Sequence, residues 1–358
     1  VWGIGVTAAI SEGRSEVIDA FRGVAILSVM AYHYLVRWAH PSNVYGYHRQ
    51  LPVLLAVGHL GVQLFFVISG LVITMTVLRS RDTLEFCTRR FARLYPAFIV
   101  GLALTFVVTL IANVPEFKTG LGDVFANLTM DAPELHHKMI DGAYWSLSVE
   151  IKFYALVAIC FAVCGSRFWI AIASIALLGL ALAHYVGMPR ADRLLVAGFM
   201  PFFLAGMGAW FLIFEKLPRR GMVLLTLGFT LYLLCASDYN TAGEPQWLDH
   251  VYLGATVGLM FTLLRWAPTI SLGPLAWIGR ISYSLYLIHQ YIGVILIRWL
   301  ITCGAPDLAA PVVATLICIA IGVVMFKTVE EPGKRLVMKT CAEMRRYLNL
   351  GRQLIELR

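Results

Sequence analysis

Ten stretches of about twenty residues, most of them apolar around their whole circumference, follow one another along this chain with little between them. They fall at about 18–38, 59–78, 95–113, 145–164, 168–187, 193–214, 221–237, 247–266, 278–301 and 308–329. In a hydrocarbon environment every backbone amide and carbonyl must find its partner inside the protein, which leaves only helices or a closed barrel. The alternating polarity of a transmembrane barrel is absent. The expected fold is an all-α polytopic membrane protein, a bundle of about ten transmembrane helices. Composition agrees: 59% hydrophobic and 14% charged residues stand against roughly 45–50% and about 25% in soluble domains. Disorder, a disulfide scaffold and most cytosolic enzymes are excluded.

The net charge of +8 would point to nucleic acid in a soluble protein. Here it sorts by side. With an even number of spans starting in the cytoplasm, nineteen Lys and Arg fall inside and six outside, as basic residues do in membrane proteins. Both termini are therefore expected in the cytoplasm, with no nucleic-acid partner, and the larger outer loops at about 39–58 and 114–144. Residues 1–17 read as a short cytoplasmic tail without the pattern of a signal peptide. Residues 18–331 form the membrane domain, and 332–358 a basic amphipathic tail suited to lie on anionic membrane lipids. The seven Cys show no zinc-type pairing and mostly lie in spans, so no metal site is expected. Cys235 and Cys303 fall near the outer side, where a disulfide is a lesser alternative.

Ionisable residues inside spans are costly enough to mark function and usually have a partner. The first span carries Asp19, Arg22 and His33. Arg22 and His33 are eleven residues apart, three turns plus roughly 20°, so they share a face about 16 Å apart along the axis. The fourth span begins Trp145-Ser146-Leu147-Ser148-Val149-Glu150 and continues to Tyr154. Counted from the span ends, Glu150 and His33 lie at one depth. A buried imidazole beside a carboxylate is a general base whose tautomer and charge the neighbour fixes. A helix–helix hydrogen bond is the competing role for either residue.

Arg89, Arg90 and Arg93 open the third span on the inner side. Three guanidinium groups at a membrane boundary suit a phosphate clamp or anchor a helix, and Arg22 at similar depth favours the clamp. Ser69 and Gly70 bring small residues to mid-membrane, where close packing is the simpler role. His289 lies about 16 Å from the inner end of its span, facing a cavity or making a structural hydrogen bond. His136 and His137 read as solvated, and Asn127-Leu128-Thr129 matches the short glycosylation sequon. Trp38, Tyr45, Tyr47, Tyr144 and Trp145 suit sugar stacking or a membrane belt.

At these residues the chain resembles membrane-bound acyltransferase family 3, the bacterial inner-membrane O-acyltransferases of surface polysaccharides and related glycans. The resemblance rests on Asp19-x-x-Arg22-Gly23 with His33, on Gln63 through Gly70, on Arg90-x-x-Arg93-Leu94-Tyr95-Pro96, and on Trp145 through Glu150. Ile281 through His289 and Glu330-Glu331-Pro332 complete it. Their order covers nearly the whole chain. The resemblance implies transfer of an acyl group, usually acetyl from acetyl-CoA, to a hydroxyl of a glycan or lipid-linked saccharide. It implies no permanently bound cofactor, catalytic importance for Arg22 and His33, and acyl-CoA contacts for Arg90 and Arg93. Where members commonly continue with a second Glu and a Gln, this chain has Ile151 and Lys152, making Lys152 a candidate partner for Glu150.

The expected mechanism has the arginines hold the donor phosphates while His33 takes the acceptor's proton and Glu150 orients the imidazole; an acyl-His relay is the alternative. Asp19, Ser69, Trp145, Tyr154 and His289 are expected to line or support the cavity. A transporter or flippase for an anionic or glycolipid substrate would use the same residues as a relay and ion pair. Neither inverted repeats nor helices broken near the midplane are legible in the sequence.

Overall fold

The computed structural model of the chain describes residues 15–37, 53–184, 186–235 and 245–356. Residues 1–14 of the expected tail, with Trp38, Tyr45 and Tyr47 of the first outer loop, lie outside them. Among the described residues the structure is helical without a strand. Helix α1 (Glu16–Tyr32) starts at a Ser15 cap and passes into a π-helical turn, His33–Arg37. A 3₁₀ segment, Val53–Leu60, leads into α2 (Gly61–Leu78). Then come α3 (Thr83–Ala112), capped by the Asp82 side chain, and the short α4 (Leu121–Asn127). Next are α5 (Trp145–Cys164), α6 (Phe168–His184), α7 (Pro189–Leu195), α8 (Met200–Ile213), α9 (Pro218–Cys235) and α10 (Gln246–Trp266). The last run is α11 (Gly273–Arg280), α12 (Ser282–Ile288), α13 (Gln290–Thr302), α14 (Ala309–Met325) and α15 (Glu331–Glu356).

Among the described residues five helices are long and apolar enough to cross a membrane, and up to seven if each of two bent pairs counts as one span. One of the five, Gly142–Ala183, runs 42 residues, about 63 Å at helical rise, too long for one crossing. It turns at Gly165, whose φ of +55° leaves the helical region and suits a residue without Cβ, and α5 packs against α6.

The bent pairs correct the expectation of unbroken helices. α7 and the segment Ala197–Ile213 meet at 54°, and α12 and α13 at 62°. At the second break the backbone groups of a continuous ladder are served by side chains instead. The Tyr291 amide donates to Asp141 Oδ2 (3.0 Å), the Tyr144 hydroxyl donates to the Leu287 carbonyl (3.0 Å), and the Tyr286 carbonyl is bonded to His289 Nδ1 (2.8 Å). Asp141 also accepts from the Ala143 amide (2.8 Å), so one buried carboxylate ties the start of α5 to the start of α13.

Several helix pairs touch backbone to backbone, two of them through a glycine on each side. A Cβ on Gly23 or Gly279 would strike the carbonyl of Leu275 or Asp19, which locks α1 on α11. One on Gly70 or Gly206 would strike that of Phe203 or Val67, which locks α2 on α8. Small residues permit this approach. Helix α15 follows α14 through a second π turn, Phe326–Glu330. It packs along α3 and pairs Arg345 with Asp82 at the α2–α3 turn.

Candidate active site

The approach of α1, α2, α3, α5 and α12 leaves a cavity of about 500 Å³ between them, with Trp210 of α8, Phe214 at its end, and Glu331 and Lys334 of α15 also in its lining. Seven cationic side chains line it, Arg22, Arg79, Arg89, Arg90, Arg93, Arg280 and Lys334, against four acidic ones.

Each arginine is held differently. Arg22 pairs with Asp19 one turn back (3.1 Å), and Arg89 with Glu85 (2.7 Å). Arg93 pairs with Glu330, which the π turn brings inward and the Ser284 hydroxyl holds (2.6 Å), and its guanidinium lies over the Tyr283 ring (5.1 Å). Unlike these three, Arg90 has no carboxylate at salt-bridge distance among the described residues. It donates through Nη2 to Thr76 Oγ1 (2.7 Å), lies over the Tyr154 ring (5.9 Å), and its buried Nε has no partner. A buried donor without a partner costs about 1–3 kcal/mol, which an anion arriving at Arg90 would offset.

Deeper in, Glu150 accepts hydrogen bonds from the Ser69 hydroxyl (2.9 Å) and the Tyr154 hydroxyl. Tyr286 closes this end of the lining, its hydroxyl donating to the Ala143 carbonyl (2.9 Å) beside Ser146 Oγ (2.7 Å).

The structure brings together Asp19, Arg22, Ser69, Arg89, Arg90, Arg93, Glu150 and Tyr154 in one cavity. His33, Trp145 and His289 are not in its lining. Trp145 packs on Phe66 and Phe199 (ring centres 6.3 and 5.4 Å). His289 is fully buried with Nδ1 bonded to the Tyr286 carbonyl (2.8 Å), so of the two expected places it takes the structural hydrogen bond and not the cavity wall. His33 makes no hydrogen bond to Glu150; its neighbour is His289, ring centres 5.3 Å apart. Shared depth alone pairs His33 with Glu150, but the break between α12 and α13 sets a second imidazole beside His33 instead. Lys152 pairs with Asp131 (3.1 Å) and Glu134 (3.4 Å), not with Glu150.

His137, read as solvated, bonds to Asp123 (3.0 Å). Asn127 is buried, its amide donating to the Asp123 and Lys138 carbonyls (both 2.7 Å) and accepting from the Ile140 amide, so the sequon is a structural asparagine. Cys235 and Cys303 are not joined in a disulfide. Sequence reasoning gave no role to Thr76, Tyr283, Ser284, Tyr286 or Glu330. All but Thr76 sit in motifs quoted above, and only the fold shows what they touch. Among the described residues no three His, Cys, Asp or Glu side chains converge as a metal site.

Residues 16–327 match a family model described as an acyltransferase domain, Acyl_transf_3. The chain belongs to the acyltransferase 3 family. Similar proteins include the peptidoglycan O-acetyltransferase OatA of Listeria monocytogenes, 26% identical over 76% of this chain and 48% of that protein. The O-acetyltransferase OatA of Staphylococcus aureus is 26% identical over 76% of this chain and 49% of its own length. A Komagataeibacter xylinus protein named BcsY is 25% identical over 81% of this chain and 75% of its own length. The chain spans about half the length of the two OatA relatives. No solved structure matches it.

Proposed function

We propose that this family member is a membrane O-acyltransferase that moves an acyl group, acetyl in the first instance, from cytoplasmic acyl-CoA to a hydroxyl of a glycan or lipid-linked saccharide at or across the bacterial inner membrane. One observation carries the reading: a single cavity joins a cluster of cations to a half-buried carboxylate with its own hydroxyl donors, Glu150 with Ser69 and Tyr154. Excess positive charge in a low-dielectric cleft concentrates an anionic donor, and guanidinium groups suit its phosphates. The names of the OatA relatives support acetyl transfer to a glycan.

In this reading the chain crosses the membrane ten times with both ends in the cytoplasm, residues 18–331 forming the membrane domain and 332–358 its basic tail. Arg90, unpaired by a carboxylate, takes donor phosphate first. Arg22, Arg89 and Arg93 complete the clamp while their own carboxylates keep them oriented. The thioester then points toward Glu150 and Tyr286. His33, behind Tyr286, takes the proton of the acceptor hydroxyl as that oxygen attacks the acyl carbon, and the CoA thiolate leaves and recovers the proton. With its acceptor oxygen bound to Ser69 and Tyr154, Glu150 shapes the acyl end of the cavity rather than orienting His33.

The test is incubation of the purified protein with radiolabelled acetyl-CoA and cell-envelope glycan, with CoA affinity measured alongside. Label should reach the glycan, and Arg90→Ala should weaken CoA binding. A wild-type protein that neither binds CoA nor transfers label refutes the reading. The two bent helix pairs favour a second reading, a transporter for an anionic or glycolipid substrate; glycan flux across vesicles without acetyl-CoA would decide for it.

A further inference from the structure

Two buried nitrogens that lack any hydrogen-bond partner belong to adjacent rings: Nδ1 of His33 and Nε2 of His289. The chemistry of each is fixed by what surrounds it. His289 Nδ1 sits 2.8 Å from the Tyr286 carbonyl, and a carbonyl only accepts, so Nδ1 carries the proton. In a neutral imidazole the other nitrogen is then a bare acceptor, which makes His289 Nε2 a lone pair without a donor. On His33, Nδ1 is the sealed nitrogen while the residue as a whole keeps 7% of its surface, which leaves Nε2 as the side to meet a substrate. An acceptor lacking a donor lies beside a nitrogen able to donate.

The geometry points to His289 as the positioning residue of His33. In the working site we infer, its Nε2 accepts the His33 Nδ1–H, a bond that the two unpartnered nitrogens do not make in this structure; that bond would hold the lone pair of His33 on Nε2 and fix that atom as the base. This rests on His33 being the base of the acyl transfer proposed above, and it moves the orienting role from Glu150 to a second imidazole. The same bond stabilises the imidazolium formed when Nε2 takes the acceptor's proton. The new oxygen–acyl bond forms, the carbon–sulfur bond breaks, and the proton on His33 Nε2 returns to the CoA thiolate, so His289 ends each cycle unchanged. The site is prepared by the helix break: with Tyr291 held by Asp141 and Leu287 by Tyr144, the Tyr286 carbonyl is free to fix the His289 tautomer.

Two amide substitutions separate this role from a structural one. The side-chain amide introduced by His289→Gln reaches the position of Nε2 and can accept from His33, but it gives up the Tyr286 bond. His289→Asn keeps an amide near Nδ1 for Tyr286 and cannot reach His33. We expect His289→Gln to retain kcat within about tenfold and His289→Asn to lose it by on the order of 10²–10⁴-fold. CoA affinity should be unchanged in both. In ¹⁵N-histidine spectra His33 should hold one tautomer in the wild type and His289→Gln and become a mixture in His289→Asn. Retention by His289→Asn with loss in His289→Gln, equal loss in both, or full activity in both overturns the proposal. His33→Ala separates the two levels: if it stays active, the reading of His33 as base fails, whereas an inactive His33→Ala beside a fully active His289→Asn removes only the role of His289.

Discussion

Asp141 joins the start of α5 to the helix break, and its stability contribution can be followed by pH alone. Burial pushes its carboxyl up from the ordinary 3.8 to about 7, against the pull of the Ala143 and Tyr291 amides, which favour the charged form. The sign follows from linkage. Below about pH 4 the group is neutral folded and unfolded, and its contribution is fully present; as pH rises the unfolded chain ionises first, so stability is lost until pH passes about 7. A window of about three pH units corresponds to roughly 4 kcal/mol. At about 2 °C per kcal/mol for a large chain, that is roughly 8 °C in Tm. Asp141→Asn removes the titration and gives up one amide bond, costing about 1 kcal/mol. Thermal unfolding in detergent from pH 4 to 8 should therefore show the wild type more stable at pH 4 and the variant equal or more stable at pH 8. Parallel curves, or a wild type that gains stability over this range relative to the variant, would refute the burial argument.

Other outcomes are as specific. His33→Ala should abolish label transfer while the protein keeps its Tm and CoA affinity; residual activity near wild type would remove His33 from the reaction. Glu330→Gln leaves Arg93 without its carboxylate and should destabilise by about 3 kcal/mol and raise the donor KM, seen in unfolding and steady-state rates; an unchanged KM would make the pair structural only. Gly206→Ala puts a methyl group against the Val67 carbonyl and should prevent accumulation of folded protein, measured by fluorescence-detected gel filtration. Cys303 and Cys87, both exposed, should report the ten-crossing topology: an impermeant maleimide should label Cys303 in spheroplasts and Cys87 only after lysis.

Much of the bundle is legible from hydrophobic length, because a helix in lipid needs nothing but apolar side chains. The span expected at 145–164 is α5, and the one expected at 247–266 is α10 with one residue added. The site was legible only where one helix carries its parts, as with Arg90 and Arg93 or Glu150 and Tyr154. Depth along separate spans did not give contact: His33 and Glu150 count to one level, yet depth carries no azimuth, and the π turn at His33 and the bend at His289 change azimuth without a sequence signal. Lys152 failed for a related reason, since its partners Asp131 and Glu134 come from the segment before α5 that folds back over it. Asp141, whose charge looks ordinary in a polar loop, gains its meaning from an amide 150 residues away.

The glycine contacts at Gly23 with Gly279 and at Gly70 with Gly206 bear on how the proposed two-sided reaction would be kept from leaking. A pump seals one face by tilting one half of its bundle against the other; helices seated carbonyl against α-carbon have no room to tilt or slide past each other. In a frame clamped at both pairs, the barrier between the two compartments has to be made of side chains. The Tyr286 ring, which lines the cavity and packs against His289 with ring centres 5.2 Å apart, stands where such a stopper belongs; in the proposed reaction it would let the acyl carbon be handed across while water and the bulky carrier stay behind.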